Sequence, residues 1–514
     1  MPSRSVNQPV SGNNLRSGLI SAGLGLLLAI PVALLGPGDF LRGWLAAAVI
    51  LAPGLFLLER AWRWAGGGRL LGWLVGLALL LHLGVGIGLS LALPVWGYPE
   101  EVQQAGYVFP DAYERDREAF SLARSGDRLL FNPNLSLASD QYGGLGLPSA
   151  AIYRYLSPDT QRPFLILALG SLFFALGVPF LWVAAHLRLP ARAAGLAAWV
   201  YVLYPDGVFF TASQMREPFL LGLCAMALWA VLSWRRNLRV ALAVLAFSLG
   251  GMLFFATRSA LFVIGVLALL FWLDFSAGRP GKAWKWLGWA GLGVGALVGA
   301  YLTWDWFRWA SVWDQVLTLR NSGMLTRVLD RVGDRIRIPL IMGYGLVQPV
   351  LPAAVAEPGN PLWKGIVILR SAGWYLAAPL RAYAGLRAWK EEDAARRRLV
   401  LWAVISVAAW ACVASLRAGG DMTDNPRYRM LFLVFIALAV GWAVDWALAR
   451  RDAWLWRFLL VEAIFLGFFS QWYFVRYFSG GVKMDFYQML GWIAGLSLLV
   501  LAGGGGWGRL KKKR

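Results

Sequence analysis

Long apolar runs, separated by short polar connections, account for most of this chain. Most of the runs are about 18–25 residues long, enough to cross roughly 30 Å of hydrocarbon at about 1.5 Å per residue. Hydrophobic residues make up 59% of the 514 residues and charged residues only 15%. In a soluble globular protein about a quarter of residues are charged. The sequence therefore predicts an all-α, polytopic transmembrane helical bundle, with residues 1–514 forming one domain.

We predict fourteen membrane spans from these runs. The spans are Leu19–Leu35, Leu41–Leu58, Leu70–Leu93, Phe164–Ala185, Ala193–Tyr204, Pro218–Trp234, Val240–Phe255, Ala260–Leu273, Trp284–Thr303, Trp363–Leu386, Leu399–Leu416, Met430–Ala447, Phe458–Phe474 and Phe486–Leu501. The first resembles a signal peptide, but no clear cleavage site follows it, so we expect an uncleaved helix. The region from Val240 to Leu273 could also be divided differently.

Basic residues set the expected orientation. In this threading seven basic clusters fall on the same side as the N-terminus: Arg60, Arg63 and Arg69; Arg188 and Arg192; Arg235, Arg236 and Arg239; Arg279, Lys282 and Lys285; Arg387, Lys390 and Arg396 to Arg398; Arg450, Arg451 and Arg457; Arg509 and Lys511 to Arg514. The positive-inside rule makes that side cytoplasmic. We therefore expect a multi-pass protein of the plasma (inner) membrane with both termini cytoplasmic. The net charge of +21 then reflects topology and contact with membrane lipids, and predicts no nucleic-acid partner.

Two polar regions lie on the predicted outer side. The loop at 97–163 carries nine carboxylates and six arginines, which makes it too polar to cross a bilayer and too long for a simple turn. We predict that this loop contains short interfacial helices and the active site. The second region, 306–360, combines a helical apolar pattern typical of a surface helix with a proline- and glycine-interrupted run, Pro339–Ala356, which we interpret as re-entrant or buried in protein.

Asp111 is the first candidate for chemistry in the loop. It follows Pro110 and has Glu114 three residues later, which fits a capping box at the start of a helix that ends near Gly126. The alternative is a carboxylate held at a helix start and able to act as a general base. Asp116, five residues on, is the second candidate.

A series of short motifs resembles the C-superfamily (GT-C) membrane glycosyltransferases, in the branch related to protein O-mannosyltransferases and lipid A aminoarabinose transferase. The resemblance begins with Asp111, Ala119 and Leu122 in the first outer loop, although Arg115 stands where the family often has Tyr. Later motifs are similar in order: Asp140-Gln141-Tyr142-Gly143-Gly144, Ile152-Tyr153-Arg154-Tyr155-Leu156, Tyr204-Pro205, Met215-Arg216-Glu217-Pro218, Ala256-Thr257-Arg258 and Pro426-Arg427-Tyr428-Arg429. It covers about 111–258 and a short stretch near Arg427; three predicted helices, rather than one, precede the loop.

The resemblance implies a glycosyltransferase that uses a polyprenyl-phosphate-linked sugar donor. It makes Asp111 the expected catalytic carboxylate and predicts substrate-binding roles for Asp140, Arg216, Glu217, Arg258, Arg427, Tyr428 and Arg429. Arginine suits such a donor because guanidinium matches phosphate oxygens in a bidentate manner. A donor with a single phosphate needs no metal in much of this family, whereas a diphosphate donor would favour a divalent cation. With only two His and two Cys in the chain, we expect no metal site built from these residues. The acceptor is not predicted.

Two other functions fit a polytopic membrane protein of this kind. One is a polysaccharide polymerase or ligase of the O-antigen type. The other is a transporter or flippase of lipid-linked sugars. Transporters tend to contain internal repeats and charged or broken helices near the membrane midplane, and the sequence contains no evident repeat and one clear mid-span charge, Arg370.

Overall fold

The computed structural model describes residues 14–126, 128–129, 143–278, 281–321, 323–478, 481 and 483–511. The α-helices are α1 (Asn14–Leu34), α2 (Phe40–Trp64), α3 (Arg69–Trp96), α4 (Glu101–Gln104), α5 (Pro110–Arg124), α6 (Gly146–Leu156), α7 (Pro163–His186), α8 (Ala191–Leu203), α9 (Pro205–Thr211), α10 (Glu217–Ser233), α11 (Leu238–Ser276), α12 (Lys282–Asn321), α13 (Gly323–Val332), α14 (Arg337–Leu346), α15 (Leu351–Ala356), α16 (Pro361–Ala388), α17 (Ala394–Ala418), α18 (Asp424–Met430), α19 (Leu433–Arg450), α20 (Ala453–Tyr477) and α21 (Phe486–Lys511). Two 3₁₀ turns, Gly143–Leu145 and Asp334–Ile336, complete the regular structure, and no described residue lies in a β-strand. The predicted all-α class is confirmed.

The number of spans differs from the predicted fourteen. Among the described residues, eleven helical segments are long and apolar enough to cross a membrane, or up to twelve if α8 and α9, which meet at a 46° bend, form one span. Three predicted spans do not meet this criterion alone. Helix α8 has 13 residues and α10 has 17, while α16 is long but carries several charged residues. A multi-pass membrane protein remains the direct interpretation of these helices.

Helix α11 is a hairpin of two spans. Its backbone leaves helical geometry at Ala256 (φ −157°, ψ 73°), between the candidate spans Leu238–Ala256 and Arg258–Ser276. The two far ends meet, because the Arg235 guanidinium just before α11 donates to the backbone carbonyl of Asp274 near its end, at 2.8 Å. The predicted division of this region into two spans is therefore confirmed, and Arg258 lies at the turn.

Polar contacts link the segments that connect the helices, at two opposite ends of the bundle. Arg188, which follows α7, binds Asp274 at 2.7 Å, and Arg396 donates to the Arg188 carbonyl at 3.1 Å. These residues come from three of the connections predicted to share a side. At the other end, which we call the loop end, Asn360 before α16 donates to the Trp96 carbonyl at 2.7 Å. The bundle therefore supports the predicted alternation of connections.

The segment around α14 and α15 does not span the bundle. These helices have 10 and 6 residues. Side chains of α16 donate hydrogen bonds to the backbone at the end of α14 and just after it. The Trp374 indole donates to the Leu346 carbonyl and the Tyr375 hydroxyl to the Val347 carbonyl, both at 2.8 Å. Non-helical backbone in a membrane protein needs such partners where no water reaches it. The interpretation as a re-entrant or protein-buried segment stays a prediction, and these contacts provide the partners that such a segment needs.

The orientation of the bundle can be tested by cysteine labelling. In a background with Cys224 and Cys412 replaced by Ala, Ser125→Cys introduces a thiol at the end of α5, and Ala277→Cys introduces one at the opposite end. If the loop faces outward, a membrane-impermeant maleimide should label Ser125→Cys in intact cells and Ala277→Cys only after lysis. The reverse pattern would overturn the predicted topology.

Candidate active site

Helix α5 carries Asp111 on its first turn. Phe109 is the N-cap residue and makes no side-chain capping bond, and Pro110 begins the helix with its fixed φ. The Asp111 carboxylate therefore does not cap α5, and the capping-box interpretation is wrong. It points instead toward Arg427, whose guanidinium nitrogen lies 3.0 Å from its Oδ2 atom.

Arg427 joins three carboxylates from three parts of the chain. Its Nε atom donates to Oε1 of Glu217 at 2.7 Å. Its Nη1 atom lies 3.0 Å from Asp111 and 3.6 Å from Asp424. The Arg427 side chain is 11% exposed and that of Glu217 only 3%, so little water screens these pairs. The contacts join α5, the start of α10 and the short helix α18 into one acidic and basic cluster at the loop end.

The positive charges keep Asp111 ionised. Burial alone would raise the pKa of this carboxyl, but the charges of Arg427 and Arg115, the hydrogen bond from Arg427 and the charge of Arg216 outweigh it and lower the pKa below its ordinary value. Arg115 lies one helical turn after Asp111, with its Nη2 atom 3.7 Å from the carboxylate. At neutral pH Asp111 is therefore a carboxylate able to accept a proton.

Arg216 and Glu217 come from the start of α10. The sequence Arg-Glu-Pro places Glu217 in the first turn, where a negative charge is favourable, and Pro218 where a missing N–H costs nothing. Arg216 and Glu217 are both buried. One Glu217 oxygen binds Arg427, while the other, Oε2, is buried and has no hydrogen-bond partner among the described residues. That atom can accept one further hydrogen bond.

Asp116 belongs to a different cluster. Its carboxylate accepts hydrogen bonds from the hydroxyls of Tyr107 and Tyr153, both at 2.6 Å, and from the Gln161 amide at 2.5 Å. Burial raises the pKa of Asp116 above its ordinary value, although these bonds and the charge of Arg115 oppose the change. With its acceptors already occupied, Asp116 is suited to fastening α5 to α6 and to the segment before α7.

The hairpin turn of α11 carries Arg258, and Gly144 of the loop packs against this turn. Arg258 is half-buried at that turn. Gly144 packs closely on the turn: a Cβ atom at position 144 would lie 2.5 Å from the Phe254 carbonyl oxygen. Glycine is therefore required at this position. The loop therefore passes directly over the turn that carries Arg258. The predicted site residue Asp140 lies outside the described residues.

The two residues after Arg427 face other partners. The Arg429 guanidinium lies 3.8 Å from the centre of the Trp374 ring and donates to the carbonyls of Leu346 and Gln348. Tyr428 is half-buried, with the Arg417 guanidinium 5.4 Å above its ring. Arg429 thus supports the segment between α14 and α15, whereas Arg427 of the same motif pairs with Asp111.

Three features of the site were not predicted as such. Two of them are Arg115 and Asp424, which belong to the Arg427 cluster. Their sequence spacing could have indicated these pairs, because Arg115 stands four residues after Asp111 and Asp424 stands three residues before Arg427. The third feature is an ion pair between Asp206 and Arg370 at 2.7 Å, with both side chains 3% exposed. Arg370 also donates to the Met422 carbonyl at 3.3 Å, which ties α16 to the segment before α18.

Among the described residues, no group of three or more His, Cys, Asp or Glu side chains could hold a metal ion.

Comparison with known proteins assigns this arrangement to no family. No protein-family model matches the chain, and no curated protein is significantly similar to it.

Proposed function

We propose that this chain is an integral membrane glycosyltransferase that moves a sugar from a polyprenyl-phosphate-linked donor to an acceptor on the outer face of the inner membrane. The observation that carries the proposal is the ion pair of Asp111 with Arg427, at 3.0 Å across 316 positions of sequence. It joins a carboxylate of the polar loop to an arginine of the late motif. Such an enzyme needs a carboxylate to take a proton and guanidinium groups to hold a phosphate. The ordered motifs that resemble GT-C enzymes support the same reaction.

In the proposed reaction the acceptor hydroxyl oxygen attacks the anomeric carbon from the face opposite the phosphate. The new C–O bond forms as the bond between that carbon and the phosphate oxygen breaks, so the anomeric configuration inverts. The hydroxyl proton passes to the Asp111 carboxylate. The carrier leaves as polyprenyl phosphate, held by Arg258 and by at least one of Arg216 and Arg427.

Arg427 can couple donor binding to the basicity of Asp111. Without donor, the hydrogen bond and charge of Arg427 help to lower the pKa of Asp111. A donor phosphate that draws the guanidinium toward itself weakens both effects, so the pKa of Asp111 rises and the carboxylate becomes a stronger base. The unpartnered Oε2 of Glu217 can then accept a hydrogen bond from a sugar hydroxyl.

Metal dependence follows from the donor. With one phosphate, the arginines alone can balance the charge of the leaving group. A diphosphate donor would develop more charge and would call for a divalent cation.

Cell-envelope glycans provide the test of this function in cells. We expect mass spectrometry to find one sugar substituent missing when the gene is deleted. A plasmid carrying the wild-type gene should restore it, and one carrying Asp111→Asn should not. An unchanged glycan profile after deletion, or full restoration by Asp111→Asn at matched expression, would contradict the proposal.

The proposed phosphate contacts predict a specific kinetic change. Arg258→Ala should raise the apparent KM for donor roughly tenfold to hundredfold, because a charged hydrogen bond contributes about 1.5–3 kcal/mol. Arg258→Lys should recover only part of this loss, since an ammonium group lacks the guanidinium fork. Arg192→Ala, an exposed change at the opposite end, is the control. Unchanged donor dependence with Ala at Arg258, Arg216 and Arg427 in turn would end the proposed phosphate role.

A further inference from the structure

A cleft of about 570 Å³ lies beside α5, and a smaller depression of about 300 Å³ adjoins it. Arg117 and Gln161 line both. Neither Asp111 nor Arg427 borders either one. The two hollows form a second potential binding region, separate from the candidate active site.

Helix α5 turns a basic and aromatic stripe toward this region. Tyr113, Arg117, Phe120 and Arg124 recur at spacings of four, three and four residues, which places them on one helix face. The Arg117 guanidinium lies 5.2 Å from the centre of the Tyr113 ring, and that of Arg124 lies 5.8 Å from the centre of the Phe120 ring. At about 100° per residue, Asp111 and the stripe point to nearly opposite sides of the helix.

The walls of the cleft change from apolar to polar over a short distance. Leu35 directly follows α1, Leu91 belongs to the last turns of α3, and Phe164 begins α7. These ends of candidate spans lie where hydrocarbon gives way to head groups. Arg117, Gln161 and Arg124 supply polar groups above them. A ligand that fills the cleft therefore needs an acyl chain and a polar head.

The charge of the lining defines that head group. None of the described residues that line the two hollows is Asp or Glu, while Arg117 and Arg124 are both cationic. The carboxylate that would compete with a phosphate for Arg117 belongs to Glu101, at 3.5 Å. The Arg117 side chain is 61% exposed and that of Glu101 is 75% exposed. Exposed pairs of this kind contribute little, so Arg117 can exchange Glu101 for a phosphate.

We propose that this cleft binds a phospholipid with an anionic head group. The phosphate lies between Arg117 and Arg124, whose Cα atoms are about 10 Å apart along the helix at about 1.5 Å per residue, a gap that two long side chains can close. Gln161 lies on the same rim, where its amide donates to Asp116 and Tyr107. An acyl chain runs down past Leu91 and Phe164. This site stands independently of the proposed sugar transfer.

Native mass spectrometry of the detergent-purified full chain, titrated with phosphatidylglycerol or phosphatidylcholine, tests this proposal. The wild-type protein should bind phosphatidylglycerol more tightly. The double variant Arg117→Gln/Arg124→Gln should bind it roughly 30-fold more weakly, which is about 2 kcal/mol at about 1.4 kcal/mol per tenfold, because each arginine near an anionic lipid contributes about 1 kcal/mol. Phosphatidylcholine binding should change little. Both arginines lie on the surface, so the variants should fold.

Arg128→Gln is the matched control, because Arg128 is exposed in the same loop and lines neither hollow. Its phosphatidylglycerol affinity should equal that of wild type, and Arg117→Lys/Arg124→Lys should keep an intermediate affinity. A loss of about fivefold in Arg128→Gln, the share that one charge of about 1 kcal/mol would carry, would mean that bulk surface charge attracts the lipid. That result, equal wild-type affinity for the two lipids, or no loss in the double variant would each overturn the proposal.

Discussion

Replacing Asp111 with Asn should reduce turnover by roughly 10²–10⁴-fold, the usual contribution of general-base catalysis. The amide keeps the shape of the carboxylate and can still accept a hydrogen bond from Arg427, so the protein should fold and bind donor. It cannot take the acceptor proton. The measurement is the initial rate of sugar transfer by purified wild-type and Asp111→Asn proteins at matched amounts.

Asp116→Asn is the comparison that separates the two candidate bases. Asp116 is held by Tyr107, Tyr153 and Gln161, so its replacement should lower stability and leave more activity than Asp111→Asn. Near wild-type rates for Asp111→Asn, with an inactive but folded Asp116→Asn, would make Asp116 the base. If both variants stayed active, Asp140 and Glu217 would be the next candidates.

The pH dependence of wild-type turnover follows from the direction of the Asp111 pKa. Because this pKa lies below its ordinary value, Asp111 stays ionised as pH falls through the range in which an ordinary aspartate is protonated. Donor binding, which weakens the contact with Arg427, should move the acid limb of kcat to higher pH than that of kcat/KM. Superimposable acid limbs would contradict release of Arg427 from Asp111.

Arg370→Met should lower the free energy of unfolding by about 3–5 kcal/mol, because it leaves the buried carboxylate of Asp206 without its partner. The guanidinium also lies 4.4 Å from the centre of the Phe209 ring, a contact that the variant loses. The measurement is unfolding of the purified protein in detergent at matched lipid content.

A double variant isolates the ion pair from the rest of this effect. Asp206→Asn/Arg370→Met removes both charges, so much of the lost stability should return, since replacing a buried pair by neutral groups is often nearly neutral. A double variant no more stable than Arg370→Met alone would show that packing, and not an unpaired charge, causes the loss.

The helices were predictable where one apolar run is long enough to cross a membrane by itself. Such runs predicted α1 to α3, α7, both halves of α11 and the C-terminal helices, with helix ends up to about ten residues beyond the predicted spans. Helix α10 is short because protein surrounds it completely, as every one of its residues is buried, so it does not need the length of an isolated span. Helix α16 can carry Arg370 and Arg381 because both side chains are buried within the protein and not exposed to lipid. Arg370 pairs with Asp206, and Arg381 lies over the Trp374 ring.

The candidate site was predictable to a coarser level. The alternation of connections brings Asp111, Arg216, Glu217 and Arg427 to one end of the bundle. It does not specify which carboxylate meets which arginine, because that depends on how α5 and α18 are rotated about their axes. Asp111 and Asp116 are five residues apart on one helix and face different neighbours for this reason. The partner of Arg370 was unpredictable because Asp206 lies on a separate short helix beyond the bend at Tyr204.

Release of carrier phosphate by the purified protein tests the central proposal most directly. The protein is reconstituted with a polyprenyl-phosphate sugar labelled in both the sugar and the carrier, together with an envelope extract as acceptor. We predict that wild-type protein forms polyprenyl phosphate in equal amount to the sugar transferred, and that Asp111→Asn forms almost none. Movement of intact donor across the bilayer, with no carrier phosphate released by wild-type protein, would contradict the proposed transferase and identify a transporter.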